Sequence, residues 1–509
     1  MRNSFSAKTN QKILVAVWLL LIMAAAWFSV GWLQADEHYR VLEPAHLLAY
    51  GYASLPWEFD STRPIVSMLI GVLVAPALKL TRFFGASGLT EAALIRLMFG
   101  LISSTRLLAL IRCFKHLGLR SDRTNIYLFI SCMAIYGPFF FVRTSQENLA
   151  MTALLWAFAL HFDIVATHLK KRSLNLLLSP EVARQIIFGI LLALTVSFRP
   201  QAGIAAAGLG LYVWWSCGFR ILMPIGAGIF LGLLPLATVD SIYSGGAFRP
   251  AMNYLTYALG NEDGGKTWGV SPWWWYIPEF FSSWYPPISF LVIVPILAAM
   301  ILRPCLGVVV FPFTIVHFLL GHKETRYFLP MIPFVHLATF VGFEALEFNF
   351  SKAMNTFKAR TKFIGLLYLK FIVAITIIFC FLPLNTSPKM FNRLHEMLAD
   401  GRITTYTQLS NSMNPVVQFY VKNPDHDKNQ KVSLNQLLER KKTVEGWVAG
   451  QDLDVALYKK IEKSCDIEYS SIPDILRKSF ERIQKSSARN KLNLIFYCRN
   501  PFRTGQAEL

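Results

Sequence analysis

The chain has 509 residues, of which 54% are hydrophobic and only 16% charged, with 13 Trp and 40 Phe. That usage lies far outside a soluble globular domain and reads as a membrane protein. The formal charge of +19 would suggest nucleic acid in a soluble chain, but here the bases sit in short clusters between apolar runs, where they set topology, so nucleic acid is set aside.

In chain order, "ILVAVWLLLIMAAAWFSVGWL" (13–33) is too long for the apolar region of a signal peptide, and no small-x-small cleavage site precedes the acids that follow. It is expected to stay attached as a first span with a cytoplasmic N-terminus. Ten further apolar runs follow, near 92–113, 124–142, 147–165, 185–198, 201–216, 221–239, 287–302, 304–320, 327–347 and 363–383. With eleven spans, the clusters Arg2/Lys8/Lys12, Lys115/Arg120/Arg123, Lys170/Lys171/Arg172, Arg220, Arg303 and Lys352/Lys358/Arg360/Lys362 all fall on the cytoplasmic side. The run 64–80 would reverse that parity as a span and is expected as a helix lying in the outer interface.

The outer face then holds a first loop (34–91), the turns 143–148, 198–201 and 322–326, a long loop (240–286) and everything after 384. Residues 384–509 drop in hydrophobicity and alternate strand candidates ("VEGWVAG", "CDIEYSS", "NLIFYC") with helical stretches at 454–464 and 473–487. The fold expected is an all-α polytopic membrane module (1–383) with a small C-terminal soluble α/β domain (384–509) outside the cytoplasm. Five of the seven cysteines, Cys113, Cys132, Cys217, Cys305 and Cys380, lie in or beside apolar runs and read as core filler. Cys465 and Cys498 fall in the polar tail, where an oxidising compartment would allow a disulfide; the sequence leaves paired and free thiols equally open. Asn385 opens an Asn-Thr-Ser sequon weakened by the Pro that follows.

The chemistry-bearing residues concentrate on the outer face. Asp36 and Glu37 stand where the first span leaves the bilayer, a position where a carboxylate is partly desolvated and can act as a base; the plainer reading is a polar cap. His38, Arg40, Glu43, His46 and Glu58 follow, more ionisable groups than interface anchoring needs. Lys323 and Arg326 in "GHKETR" are outside charges against the positive-inside trend, and a lipid phosphate would use them: Arg grips phosphate oxygens bidentately and Lys adds a point charge. Three consecutive Trp (273–275) read as an interfacial belt. Neither a Gly-x-x-x-x-Gly-Lys-Ser/Thr loop, a His-Glu-x-x-His pair nor a Gly-x-Ser-x-Gly elbow is present, and the Asp-Glu pair is not an Asp-x-Asp metal motif, so no cofactor is called for and a divalent metal is not indicated.

The stretch "ADEHYRVLEPAHLLAYGYASLPWEF…TRP" resembles the first lumenal loop of glycosyltransferase family 22, in the GT-C superfamily. That family includes the dolichol- or polyprenyl-phosphate-mannose-dependent mannosyltransferases of GPI-anchor and N-glycan assembly. Asp36, Glu37, Glu43, His46, Gly51, Trp57, Glu58 and Arg63 match its loop in order, with Gln34-Ala35 where His-Pro is usual and Pro64 where Ser is usual. "GHKETRYFLPMIPF" (321–334) is similar to the family's His-Lys-Glu-x-Arg-Phe hallmark. "RTSQEN" (143–148) resembles a further family turn loosely and offers Arg143 and Glu147, while "SFRPQAGI" (197–204) offers Arg199. In 243–279, Asn253, Gly269, Pro272, Trp273, Trp275 and Tyr276 match the family's outer loop. The ordered resemblance covers about residues 13 to 345.

The resemblance implies an inverting mannosyltransferase of the endoplasmic reticulum or a bacterial inner membrane, with a lumenal or periplasmic site. Its donor would be a polyprenyl-phosphate sugar and its acceptor a hydroxyl of a glycan or glycolipid. Asp36 and Glu37 would serve the nucleophile; His322, Lys323, Arg326 and Arg63 would hold the phosphate. Glu43, His46, Glu58, Arg143, Arg199 and Glu324 would support them, with Asn253, Trp273, Trp275 and Tyr276 as a lipid or sugar platform. The rival readings are a transporter or flippase of lipid-linked sugars, a transferase of another polyprenyl-phosphate sugar, and an inactive scaffold keeping the fold; a transporter would ordinarily place ionisable groups at mid-bilayer on repeated halves, neither of which the sequence presents.

Overall fold

The structure is a computed structural model that describes residues 2–134, 137–170, 180–259, 269–283, 288–385, 387–409, 418–422, 430–432, 444–453, 455–471 and 492–502. The chain resolves into two compact units. One comprises Met1–Ser29, Trp57–Ile70 and Ile95–Leu382; the other comprises Val30–Pro56, Gly71–Leu94 and Pro383–Leu509. The tail thus clusters with 30–56 and 71–94, two pieces of the first loop.

In the first unit every expected apolar run is helical, with boundaries that differ from the hydropathy. The first helix, Arg2–Phe28, stops five residues before the apolar stretch does, because the chain turns at Gly31, whose φ of +98° suits glycine. The run near 124–142 is divided into Thr124–Met133 and Gly137–Phe141, and the run near 92–113 breaks at Thr105 between Gly88–Ser104 and Arg106–His116. Among the described residues five helices are long and apolar enough to cross a membrane: Gly88–His116, Gln146–His168, Pro180–Phe198, Phe219–Tyr243 and Thr325–Asn349. Ser289–Leu302 and Pro304–Leu319, bent by 116° at their junction, make a sixth if counted as one span; Lys12–Phe28 and Gly365–Phe381 are shorter.

These helices pack by backbone approach at small residues, the device that replaces hydrophobic driving force in lipid. A Cβ added to Gly189 would come within 2.2 Å of Ile225 O, and one on Gly228 within 2.1 Å of Ile186 O, so Pro180–Phe198 and Leu222–Tyr243 touch almost main chain to main chain. Gly208 lies against Val308 O and Gly342 against Pro295 O in the same way. The five cysteines read as core filler, Cys113, Cys132, Cys217, Cys305 and Cys380, are all buried in this core.

The Leu69–Phe83 helix, expected to lie in the interface and part of the second unit from Gly71 on, buries Val74, Leu78 and Thr81 on one face and exposes Leu73, Leu80 and Phe83. The tail forms a mixed sheet of β1 (Thr407–Leu409), β2 (Gln430–Val432), β3 (Val444–Leu453), β4 (Asp466–Ser470) and β5 (Leu492–Phe502), in the order β2-β1-β3-β5-β4. β1 runs parallel to β2 and β3, while β5 is antiparallel to β3 and β4. Leu409, Val448, Leu494 and Phe496 form a core with Leu457 and Ile461 from the Val455–Ser464 helix. Cys465 and Cys498 form a disulfide at the start of β4 and on β5. The three strands expected from the sequence are β3, β4 and β5; the short β1 and β2 have no pattern long enough to see. The helix expected at 473–487 lies outside the described residues.

Candidate active site

The acid-bearing turn belongs to the second unit. Past Gly31, Gln34 begins a single helical turn, Ala35–Glu37. Glu37 is buried, and its Oε1 accepts the main-chain N–H groups of Leu33 at 3.1 Å and Gln34 at 3.2 Å, so this carboxylate works as a cap on the turn. Asp36, one residue earlier, keeps 23% of its side chain exposed and faces Arg40 Nη1 at 2.7 Å, one helical turn on. Two adjacent acids therefore take different positions: one turned back on its own backbone, one presented beside a cation.

A π-helical turn, His38–Leu42, leads into the Glu43–Tyr50 helix, which ends on Gly51 with φ +89°. Glu43 and His46, expected to support the site, are both fully buried and hold protein groups. Glu43 Oε1 accepts His38 Nε2 and the Phe419 N–H, each at 3.0 Å, and Oε2 accepts the Ser54 N–H at 3.4 Å. His46 Nδ1 donates to Tyr52 O at 2.9 Å and its ring stacks on Tyr50; burial pushes its pKa down to about 4, so it is neutral at working pH.

The basic turn belongs to the first unit. Glu324 accepts from His322 Nε2 at 3.1 Å, from Arg326 Nη2 at 2.9 Å and from the Tyr327 hydroxyl at 3.1 Å, and its Oε2 pairs ionically with Arg326 Nε at 2.6 Å. Burial alone would raise the Glu324 carboxyl, but the charge of Arg326 and the bonds from Arg326, His322 and Tyr327 outweigh it and hold it below the ordinary range. Lys323 is only 6% exposed; its ammonium donates to Leu320 O, has no carboxylate partner among the described residues, and burial lowers its pKa.

Arg199 and Glu147, both buried, pair at 3.1 Å, and the Arg199 guanidinium lies 5.4 Å from the centre of the Tyr327 ring, with that of Arg326 at 5.8 Å from the same centre. Tyr276 is buried against Phe318 and Phe328 and donates to Glu324 O at 3.3 Å. The Ser271 N–H bonds Gly321 O at 2.9 Å, so the Trp273–Trp275 turn is fastened to the basic turn; Trp273 is exposed and Trp275 half-buried. His317 was not singled out by the sequence. It is 1% exposed, its Nδ1 donates to Phe313 O at 2.8 Å, and its Nε2 has no partner among the described residues.

The remaining expected site residues in this unit hold backbone. Asn253 donates to Pro64 O at 2.8 Å, and Arg249 donates to Thr62 O at 2.9 Å, pinning the loop on either side of the exposed Arg63. Glu58 is buried, and its carbonyl accepts the Ile65 and Val66 N–H groups. Arg143 donates to Ser29 O at 3.1 Å, and Arg96, which the sequence reading passed over, donates to Ala26 O at 2.8 Å; together they satisfy carbonyls at the C-terminal end of the first helix.

The sequence profile of the Alg9-like mannosyltransferase family matches residues 12–414, further into the tail than the motifs reach. "GPI mannosyltransferase 3" of Yarrowia lipolytica is 26% identical over 319 residues, 60% of this chain and 57% of that protein. "Mannosyltransferase APTG1" of Arabidopsis thaliana is 23% identical over 337 residues, 63% of this chain and 56% of that one. The chain thus spans a little over half the length of these curated relatives. Crystal structures of ArnT from Cupriavidus metallidurans, one in the apo state and one bound to undecaprenyl phosphate, superpose with TM-scores of 0.58 and 0.55 at 10% and 9% identity, covering 96% of this chain and 98% of theirs, which establishes a shared fold. With the family profile matched over most of its length, this chain belongs to the Alg9-like mannosyltransferase family.

Proposed function

We propose that the protein is a multi-pass membrane mannosyltransferase that moves a mannosyl residue, with inversion, from a polyprenyl-phosphate donor to a hydroxyl of a glycan or glycolipid. The observation that carries this reading is Lys323: a buried ammonium with a single carbonyl partner and no carboxylate among the described residues, on the same turn as His322 and Arg326. A buried cation left without a counter-charge is costly, and an anionic ligand supplies the missing charge. The family relatives carry mannosyltransferase names, and ArnT has been crystallised with undecaprenyl phosphate.

In the reaction, Asp36 takes the proton of the acceptor hydroxyl as its oxygen attacks the anomeric carbon. The bond from that carbon to the phosphate oxygen breaks, and the polyprenyl phosphate leaves with the electron pair, held by Lys323, Arg326 and His322. A phosphate monoester is a weakly basic leaving group, so cationic stabilisation serves in place of a general acid. Arg40 pairs with the Asp36 carboxylate, and Glu37 fixes the turn. The site faces the lumen or periplasm with the N-terminus in the cytoplasm; the Cys465–Cys498 disulfide supports an oxidising compartment for the tail.

The test is incubation of the purified chain with radiolabelled polyprenyl-phosphate-mannose and glycolipid acceptors. Label is expected to move to an acceptor in a single inverted linkage. Intact donor appearing on the opposite leaflet of a vesicle, with no glycosidic product, would overturn the reading in favour of a flippase.

A further inference from the structure

We propose that Phe419–Lys422, a short piece of the C-terminal tail, is a positioning element for the acid-bearing turn and acts on it through Glu43 and His38. This rests on the assignment of Asp36 as the base.

Phe419, Tyr420 and Val421 are each no more than 1% exposed, although they sit in a tail of largely polar composition, so this segment is inserted in the unit's interior. The Phe419 N–H is one of three donors to the fully buried Glu43, another being His38, which follows Glu37 directly. The Tyr420 ring stacks parallel to the His38 imidazole at 5.6 Å, and the Phe419 ring meets His38 and His46 edgewise or tilted at 5.9 and 5.8 Å. Gly88 packs directly on the Phe419 carbonyl, where a Cβ would stand 3.2 Å away.

The insertion is locked at its end. Lys422, held at φ +49°, places its ammonium 3.0 Å from the carboxylate of the fully buried Glu91, 3.3 Å from the Tyr50 hydroxyl and 3.4 Å from Ala86 O. Tyr50 itself donates to Glu91. A non-glycine residue in that backbone region is strained and persists only where its surroundings fix it; the buried ion pair does so. A segment with this many committed contacts, its Phe419 lying 376 positions from Glu43, is more than a surface tether. Glu43, matched by resemblance as a site residue, is on this reading the receptor for the tail, and the π-helical turn it closes with His38 sets the direction in which Asp36 is presented.

The experiment uses the full chain in lipid nanodiscs with Lys422→Met, Lys422→Arg and the double variant Lys422→Met/Glu91→Gln. Two quantities are read: kcat and donor KM for mannosyl transfer, and hydrogen exchange of the peptide covering 33–46. Lys422→Met is expected to lower kcat about tenfold with donor KM within about twofold, a fraction of the hundredfold loss that a 1 Å misplacement brings, and to speed exchange of that peptide. Lys422→Arg is expected to restore both. Where the single variant does not fold, the double variant, which leaves no uncompensated buried carboxylate, carries the same readouts. Wild-type kcat and wild-type exchange in Lys422→Met would overturn the positioning role while leaving the base assignment intact. Wild-type turnover in a parallel Asp36→Asn enzyme would overturn the base assignment, and the exchange measurement would still decide whether the tail orders the turn.

Discussion

Asp36 and Glu37 are neighbours of identical charge, yet the geometry separates them: Glu37 closes its own turn through two main-chain N–H groups, while Asp36 stays partly exposed beside Arg40. That the first span ends on two acids is legible in the sequence, as is their match to the family's loop. That Glu37 caps the turn is not, because capping depends on the φ and ψ of Gln34. His46 shows the same limit: its place in a Glu-x-x-His helix suggests chemistry, and its burial makes it a neutral wedge. Its folded pKa of about 4 lies below the unfolded value of 6.5, so only the unfolded chain gains the proton between those pH values. Stability is therefore expected to be full above pH 6.5 and to fall by about 3 kcal/mol as pH drops toward 4, with His46→Gln flattening that slope in thermal melts. For Lys323, whose pKa burial lowers, the cation is lost at a lower pH than for an ordinary lysine. The alkaline limb of kcat/KM is expected to move to higher pH in Lys323→Arg, because a guanidinium stays charged throughout; an unmoved limb would remove Lys323 from the phosphate site.

At the scale of elements, the apolar runs announced the helices, because a bilayer allows little else. Their breaks were not announced: nothing in residues 92–113 marks the interruption at Thr105, and the end of the first helix at Phe28 falls inside an unbroken apolar stretch. The turn at Gly31 sets the latter, and the buried Arg96 and Arg143 take the carbonyls of Ala26 and Ser29 that a longer helix would have used internally. Glycines decide which helices touch. Gly228→Val would drive a side chain into Ile186 O, and it is expected to destabilise the fold by about 1–3 kcal/mol, read as a lower melting temperature in detergent. Gly226, whose Cβ would meet nothing within 4 Å, is the control on the same helix, and its Val variant is expected to leave the midpoint unchanged.

At the scale of the whole molecule, composition sets a polar tail against an apolar body, and the tail carries the five-stranded sheet with its Cys465–Cys498 bridge. The grouping of that tail with 30–56 and 71–94 was beyond reach, because it depends on contacts such as Phe419 to Glu43 that join residues 376 positions apart. The disulfide closes a sequence separation of 33, for which loop entropy predicts about 3–4 kcal/mol, so Cys498→Ser is expected to lower the unfolding midpoint of this unit under non-reducing conditions and to make it insensitive to added thiol. The proposed reaction rests on one step, in which Asp36 accepts the acceptor's proton while the turn of His322, Lys323 and Arg326 receives the phosphate. Single-turnover transfer by purified Asp36→Asn, measured beside its affinity for radiolabelled polyprenyl-phosphate-mannose, tests it most directly. Donor affinity unchanged and transfer slowed about a thousandfold is the expected result; transfer at the wild-type rate would contradict it.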